Sequence, residues 1–291
     1  MTALREIAWA KLNLTLQVLG RRPDGFHEIE SLVAFAGVGD TVELDPLEGL
    51  DLRVEGPFAA ALDGGNLITK AAEAAKTKVP GLALGSFRLV KVLPVAAGLG
   101  GGSADAAAAL RLVAKANPGK ATDLGLSELA ATLGSDVAVC LKSEPAMITG
   151  RGEVVSPVEG FPPCGVVLAN PVVPLATAAV YGALGAPQLA APPHPPDPLD
   201  FGRDFDSLID YVRPRGNDLE PAAARLAPQI VELLAALAAL KGVRLVRLSG
   251  SGPTCFALFA EPRAAHHAAA ELAHSHPDWW VAASGLGDSS R

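Results

Sequence analysis

The chain has 291 residues, of which 49% are hydrophobic and 19% charged. That length and balance fit one large domain or two ordinary ones around a substantial core, and exclude wholesale disorder. Twenty-four basic residues against 31 acidic ones give a net charge of −7, with no Lys/Arg block. A phosphate-backbone binder needs many cationic contacts, so nucleic acid is not an expected partner.

Cys140, Cys164 and Cys255 each sit in an apolar run, where a free cysteine behaves as a small core residue. Such usage suits a reducing compartment. Arg5, Glu6 and Lys11 interrupt the opening segment where a signal peptide needs an unbroken apolar core. No apolar stretch reaches the ~20 residues that span a bilayer. A soluble, cytoplasmic protein without a membrane partner is expected.

From Ala8 to Val18 the even positions are apolar, while Lys11, Asn13, Thr15 and Gln17 fall on the odd ones. This period of two predicts a strand that projects Lys11 and Asn13 from one polar face. Gly20–Gly25 (GRRPDG) is a turn by its Pro-Asp-Gly chemistry. Further strands are expected at Ile29–Phe35, Val42–Leu44, Leu52–Val54 and Phe87–Leu93. Asn66 caps an expected helix over Leu67–Lys78. A Gly-rich turn then leads into an Ala-rich helix reaching about Lys115. Ser127 is the expected cap of a short helix to Leu133, and Val137–Leu141 and Ala146–Thr149 read as strands.

Composition shifts to Pro and Gly near Pro157–Pro163, which predicts a boundary between domains 1–157 and 158–291. Beyond it a strand at Val166–Ala169 and a helix near Thr177–Gly182 precede a Pro-rich loop, Ala186–Pro198. Helices over Asp206–Val212 and Pro221–Leu240 follow. The chain then alternates a strand (Val243–Leu248), a SerGlySerGly turn, a strand (Thr254–Phe259), a helix (Arg263–His274) and a strand (Trp280–Ala283). Strands and helices mixed without a regular βαβ rhythm predict an α+β fold in two domains.

The strongest chemical signal is PVAAGLGGGSADAAAAL, residues 94–110. Gly98, Gly100, Gly101 and Gly102 let the backbone turn sharply and approach a ligand closely. The turn empties into a helix start, whose free N–H groups and positive dipole end suit phosphate. Ser103 adds a hydroxyl at the helix mouth. Neither G-x-x-x-x-G-K-[ST] nor G-x-G-x-x-G is present. No HExxH, CxxC or EF-hand pattern points to a dedicated metal site.

This loop resembles the second motif of the GHMP small-molecule kinases. LSGSGPTC (248–255) resembles their third motif, and GSDVAVCL (134–141) the segment carrying their catalytic aspartate. The opening AKLNLTLQVLGRRPDGFHEIESL and RGNDLE (215–220) resemble one branch, whose acceptor is a cytidine diphosphate methylerythritol. The motifs run in order through nearly the whole chain.

The resemblance implies an N-terminal ribosomal-protein-S5-domain-2-like domain and a C-terminal ferredoxin-like domain. It implies ATP bound by Pro94, Val95, Ala96, Ala97, Gly98, Leu99, Gly100, Gly101, Gly102, Ser103 and Ala104, with Gly250 and Gly252 building the third loop. Mg²⁺ would arrive with ATP, held mostly by phosphate oxygens and water, and no protein ligand is assigned to it. Lys11 and Asp136 take the catalytic places, and Asn13, Phe26, His27, Lys91 and Thr177 those around the cytidine diphosphate. Phe26 stands where the family usually has Tyr, and Trp9 where it often has Pro. The expected assembly is a monomer or weak homodimer. The alternatives are another GHMP kinase (homoserine, mevalonate or sugar) and a non-catalytic sensor on the same fold.

Overall fold

The computed structural model describes residues 3–46, 49–62, 65–191 and 193–287. In chain order come β1 (Leu4–Asn13), β2 (Gln17–Arg21), β3 (His27–Asp45), β4 (Leu50–Glu55), α1 (Leu67–Lys78) and β5 (Gly85–Val90). The helices α2 (Gly101–Ala116), α3 (Leu126–Leu133) and α4 (Ser135–Lys142) follow, then β6 (Ala146–Gly150), β7 (Val154–Pro157) and β8 (Cys164–Asn170). The rest holds α5 (Thr177–Leu184), α6 (Phe205–Val212), α7 (Glu220–Leu226), α8 (Gln229–Ala238), β9 (Leu245–Leu248), β10 (Cys255–Phe259), α9 (Pro262–Ser275) and β11 (Trp280–Leu286).

These elements gather into two compact units. One comprises Met1–Ala10, Gly39–Val95 and Gly100–Ser143; the other Lys11–Val38, Ala96–Leu99 and Glu144–Arg291. This grouping differs from a linear division after residue 157, because β1 and β3 each give one end to each unit.

In the first unit β5 lies between β4, parallel to it, and the second half of β3, antiparallel over Thr41–Asp45. Phe87 and Leu89 are buried on one face of β5, while Arg88 on the other pairs with Glu43 at 2.8 Å and with Glu55. Helices α1 and α4 pack on α2, which is buried at every position from Ala104 to Leu110. Asn66 caps α1 as expected, its Oδ1 accepting from Ile68 N at 2.8 Å.

In the second unit β11, β8, β10 and β9 form an antiparallel sheet in that order. All seven residues of β8 are buried, as expected of a strand covered on both faces. Helices α7, α8 and α9 set Ala223, Ile230, Leu233, Leu237 and Leu272 in one core with Val167, Ala257 and Phe259. The first half of β3 pairs with β6, and β6 with β7.

Local physics explains where the expected elements change. The apolar run Val137–Leu141 is part of helix α4, not a strand, and buries Val137, Val139 and Cys140. A run this short carries no decisive periodicity. Ile29–Phe35 and Val42–Leu44 belong to one strand, β3, carried through Gly37 and Gly39. A β-carbon on Gly39 would strike the Ala8 carbonyl, so only glycine admits the close pass of β1.

The expected strand 8–18 breaks after Asn13 and resumes at Gln17 as β2. Its polar face is buried too: Thr15 Oγ1 accepts from Leu32 N at 2.9 Å, and Ser31 Oγ donates to the Thr15 carbonyl. Gly125, in the left-handed region, replaces Ser127 as the residue before α3. The helix expected over 221–240 divides into α7 and α8 at Ala227–Pro228, since proline has no N–H for the ladder. The described residues of 186–198, which exclude Pro192, contain no helix, and Gln188 forms an isolated bridge to Arg21.

Candidate active site

In the second unit two glycine-rich segments lie backbone to backbone. Ser249 Oγ donates to the Gly98 carbonyl at 2.8 Å, and Thr254 N to the Ala97 carbonyl at 3.2 Å. A β-carbon on Gly98 would run into the Ser249 carbonyl, and Gly98 holds φ 74°, so this approach requires glycine. Gly250 and Gly252 adopt φ of 56° and 80°, and the Gly252–Pro253 peptide is cis. Asn217, from RGNDLE, clamps the turn by donating Nδ2 to the carbonyls of Leu248 (2.9 Å) and Gly250 (2.8 Å).

The end of β1 docks on the same structure. Lys11 N donates to the Leu99 carbonyl at 2.9 Å, and Asn13 N to Ser249 Oγ at 3.3 Å. Asn13 Nδ2 donates to Ser31 Oγ at 2.8 Å. Both side chains are buried, Lys11 at 4% and Asn13 at 3% exposure. Such a strip of buried polar groups is costly unless each is partnered.

Helix α5 joins two further candidates. Thr177 Oγ1 lies 2.9 Å from Ser251 Oγ in the third glycine loop. Tyr181, one turn later, stacks on His27 with centroids 4.7 Å apart. Burial, with Arg21 nearby, lowers the His27 pKa below its ordinary value. A neutral imidazole offers one donor and one acceptor to a base edge. Phe26 is 53% exposed, with the Arg151 guanidinium 4.9 Å from its ring centroid. Tyr181 and Ser251 were not found from sequence; the i, i+4 spacing of Tyr181 from Thr177 was the available signal.

In the first unit Gly100, at φ 61°, precedes α2, and Gly101, Gly102 and Ser103 form its first turn. Their N–H groups have no partner within the helix by construction. A 16-residue helix opening on glycines therefore fits phosphate oxygens. Asp136 lies in the first turn of α4, where the helix dipole favours its charge. The other end of α4 is held by Arg111, which donates to the carbonyls of Cys140 (2.9 Å) and Leu141 (3.2 Å).

Lys91 lies differently from the expected acceptor contact. Its ammonium is turned inward, 2.5 Å from Asp40 Oδ2 and 2.8 Å from Asp105 Oδ2, with 2% of its side chain exposed. Two buried acidic side chains face it, so its charge is partnered inside the unit. Asp40 Oδ1 also accepts from the backbone N–H groups of Val92 (2.6 Å) and Leu93 (2.9 Å). Asp105 Oδ1 has no hydrogen-bond partner. Burial pushes the Asp105 carboxyl up to about 7 despite the adjacent ammonium.

The first unit thus holds Lys91, Pro94, Val95, Gly100–Ala104 and Asp136. The second brings together Lys11, Asn13, Ala96–Leu99, Thr177, Gly250 and Gly252, with His27 reached through α5.

Similarity to known proteins identifies the class as the GHMP small-molecule kinases. The family model for the GHMP kinases N terminal domain matches residues 66–144, and that for GHMP kinases C terminal matches residues 200–278. The 4-diphosphocytidyl-2-C-methyl-D-erythritol kinase of Methylobacterium radiotolerans is 50% identical, over 97% of this chain and 98% of its own. That of Rhodopseudomonas palustris is 47% identical, over 97% of each. A crystal structure of 4-(cytidine 5'-diphospho)-2C-methyl-D-erythritol kinase superposes with a TM-score of 0.77 at 31% identity, covering 98% of this chain and 100% of that one. The chain belongs to the 4-diphosphocytidyl-2-C-methyl-D-erythritol kinase family.

Proposed function

We propose that the chain transfers the γ-phosphoryl group of ATP to the 2-hydroxyl of 4-diphosphocytidyl-2-C-methyl-D-erythritol, a step of non-mevalonate isoprenoid precursor synthesis. The observation that carries this reading is the near-full-length identity to kinases named for that acceptor.

Phosphoryl transfer asks a protein mainly for alignment and positive potential. Backbone N–H groups of Gly98–Ser103 hold the phosphates of ATP, and the third loop, through Gly250 and Gly252, fixes the position of Gly98. Mg²⁺ bound to the nucleotide supplies further positive charge. Asp136 accepts the proton of the acceptor hydroxyl. Lys11 orients that hydroxyl and stabilises charge developing on the transferred group. His27 hydrogen-bonds the cytosine edge, Phe26 and Tyr181 offer ring faces, and Asn13 and Thr177 contact the diphosphate side.

Among the described residues no helix is long and apolar enough to cross a membrane. The three cysteines are free and buried, which supports a reducing, cytoplasmic setting.

The test is ADP release in a coupled assay with the cytidylyl acceptor, mevalonate and homoserine supplied separately. Turnover confined to the cytidylyl compound is expected. Faster turnover with either of the others overturns the acceptor assignment.

A further inference from the structure

Lys91, Asp40 and Asp105 form a charged cluster that the proposed reaction does not use, and all three lie in the first unit. The Asp40 carboxylate holds the chain entering the nucleotide loop, through the N–H groups of Val92 and Leu93. Asp105 belongs to α2, the helix by which the chain leaves that loop. Lys91 Nζ bonds both carboxylates, at 2.5 and 2.8 Å. A β-carbon placed on Gly101, the first residue of α2, would lie 3.1 Å from the same ammonium. The ammonium therefore sits directly beneath the helix start.

We infer that Lys91 is a positioning residue for the nucleotide. It clasps the entry of the phosphate loop, through Asp40, to its exit, through Asp105, and makes no contact with the acceptor. This rests on the assignment of residues 94–104 to nucleotide binding. Three observations favour it over a merely structural ion pair. The two ties fall on the segments flanking one loop, and the cluster is inside the unit rather than at its surface. Its members are also unequally satisfied: Asp40 spends both carboxylate oxygens, whereas Asp105 Oδ1 has no partner. Lys91 thus reaches Asp105 through one bond, to Oδ2, beside the Asp40 carboxylate, and this is the weaker side of the clasp.

The test measures binding of a non-hydrolysable ATP analogue and, separately, of the cytidylyl acceptor, by calorimetry on the full chain. Lys91→Met is expected to raise the dissociation constant of the analogue at least tenfold and that of the acceptor less than twofold. Removing the ammonium leaves two carboxylates buried together, so Asp105→Ala is measured in parallel. It leaves Lys91 and Asp40 as a balanced pair and carries the test where Lys91→Met does not fold. Asp105→Ala should weaken the analogue by about the same factor, while Asp105→Asn, which retains an oxygen for Lys91, should restore most of the affinity. Steady-state kinetics should show KM for ATP rising with KM for the acceptor unchanged.

A folded Asp105→Ala with normal affinity for the analogue overturns the clasp. So does a Lys91→Met protein that loses acceptor and keeps nucleotide, which would return Lys91 to the acceptor pocket. A wild-type chain that binds the analogue but phosphorylates no cytidylyl acceptor would sink the functional reading and leave the clasp standing.

Discussion

The imidazole of His27 and the phenol ring of Tyr181 stack at 4.7 Å with their planes 30° apart, joining the segment after the GRRPDG turn to helix α5. His27→Ala should raise KM for the cytidylyl acceptor about tenfold to a hundredfold, the cost of a lost buried hydrogen bond. KM for ATP should stay within about twofold. Tyr181→Ala, which removes the stacked ring, should approach His27→Ala. A rise in KM for ATP alone would move this pair to the nucleotide side.

Two glycines of the same loop should behave differently. Gly98→Ala places a methyl group against the Ser249 carbonyl, on a residue already at φ 74°. It should destabilise the protein by about 1–3 kcal/mol, visible as a lower melting temperature. A β-carbon on Gly102 meets only Leu67, at an ordinary 3.4 Å. Gly102→Ala should therefore melt normally while ATP affinity falls. Equal melting temperatures for the two variants would contradict the backbone packing described for Gly98.

Asp136→Asn keeps the size and bonding reach of the side chain and removes most of its proton affinity. Single-turnover phosphoryl transfer at saturating ligands should slow by about 10²–10⁴-fold. Lys11→Ala should slow it similarly, and the double variant should be little worse than either, since residues acting as a unit are not additive. A near-normal rate in folded Asp136→Asn leaves this residue as a first-turn helix charge and revives the non-catalytic sensor.

Asp105 gives a pH dependence whose sign can be worked out. Its carboxyl is pushed from an ordinary 3.8 to about 7 in the folded state. Between those values the folded chain keeps a proton that the unfolded chain has released, so stability falls as pH rises and levels off above about 8. The limiting slope is about 1.4 kcal/mol per pH unit for one proton. Measured by urea unfolding, the stability of wild type minus that of Asp105→Asn should decline from about pH 5 to 7. A difference that is flat across this range would mean that the Asp105 carboxyl is ionised throughout.

The glycine-rich turn and the start of α2 were legible because glycine chemistry and helix punctuation are local. Asn66 capping α1, and Pro94 and the glycines marking the start of α2, needed no tertiary information. Lys11 and Asn13 were correctly given the same phase, since alternation decides it; that their face is buried depends on Ser31 and Ser249, far along the chain. Helix α4 was misread because five apolar residues suit either period, and what selects the helix is packing on α2. The inward contacts of Lys91 were hidden for a related reason. Its partners Asp40 and Asp105 are 51 and 14 positions away, and spacing alone does not link them. Asp40, just before the apolar positions Val42 and Leu44, was the one hint.

Strand β3 pairs with β6 through Ile29–Val33 and with β5 through Thr41–Asp45. Side chains alternate along it, so one residue gained or lost between these stretches would turn one of them over and expose its apolar set. The spacing between Val33 and Thr41 therefore works as a ruler. Changes of length that this part of the chain tolerates are confined to turns such as 22–25, and an insertion scan across residues 20–45 should read out that ruler as a sharply bounded interval without soluble protein.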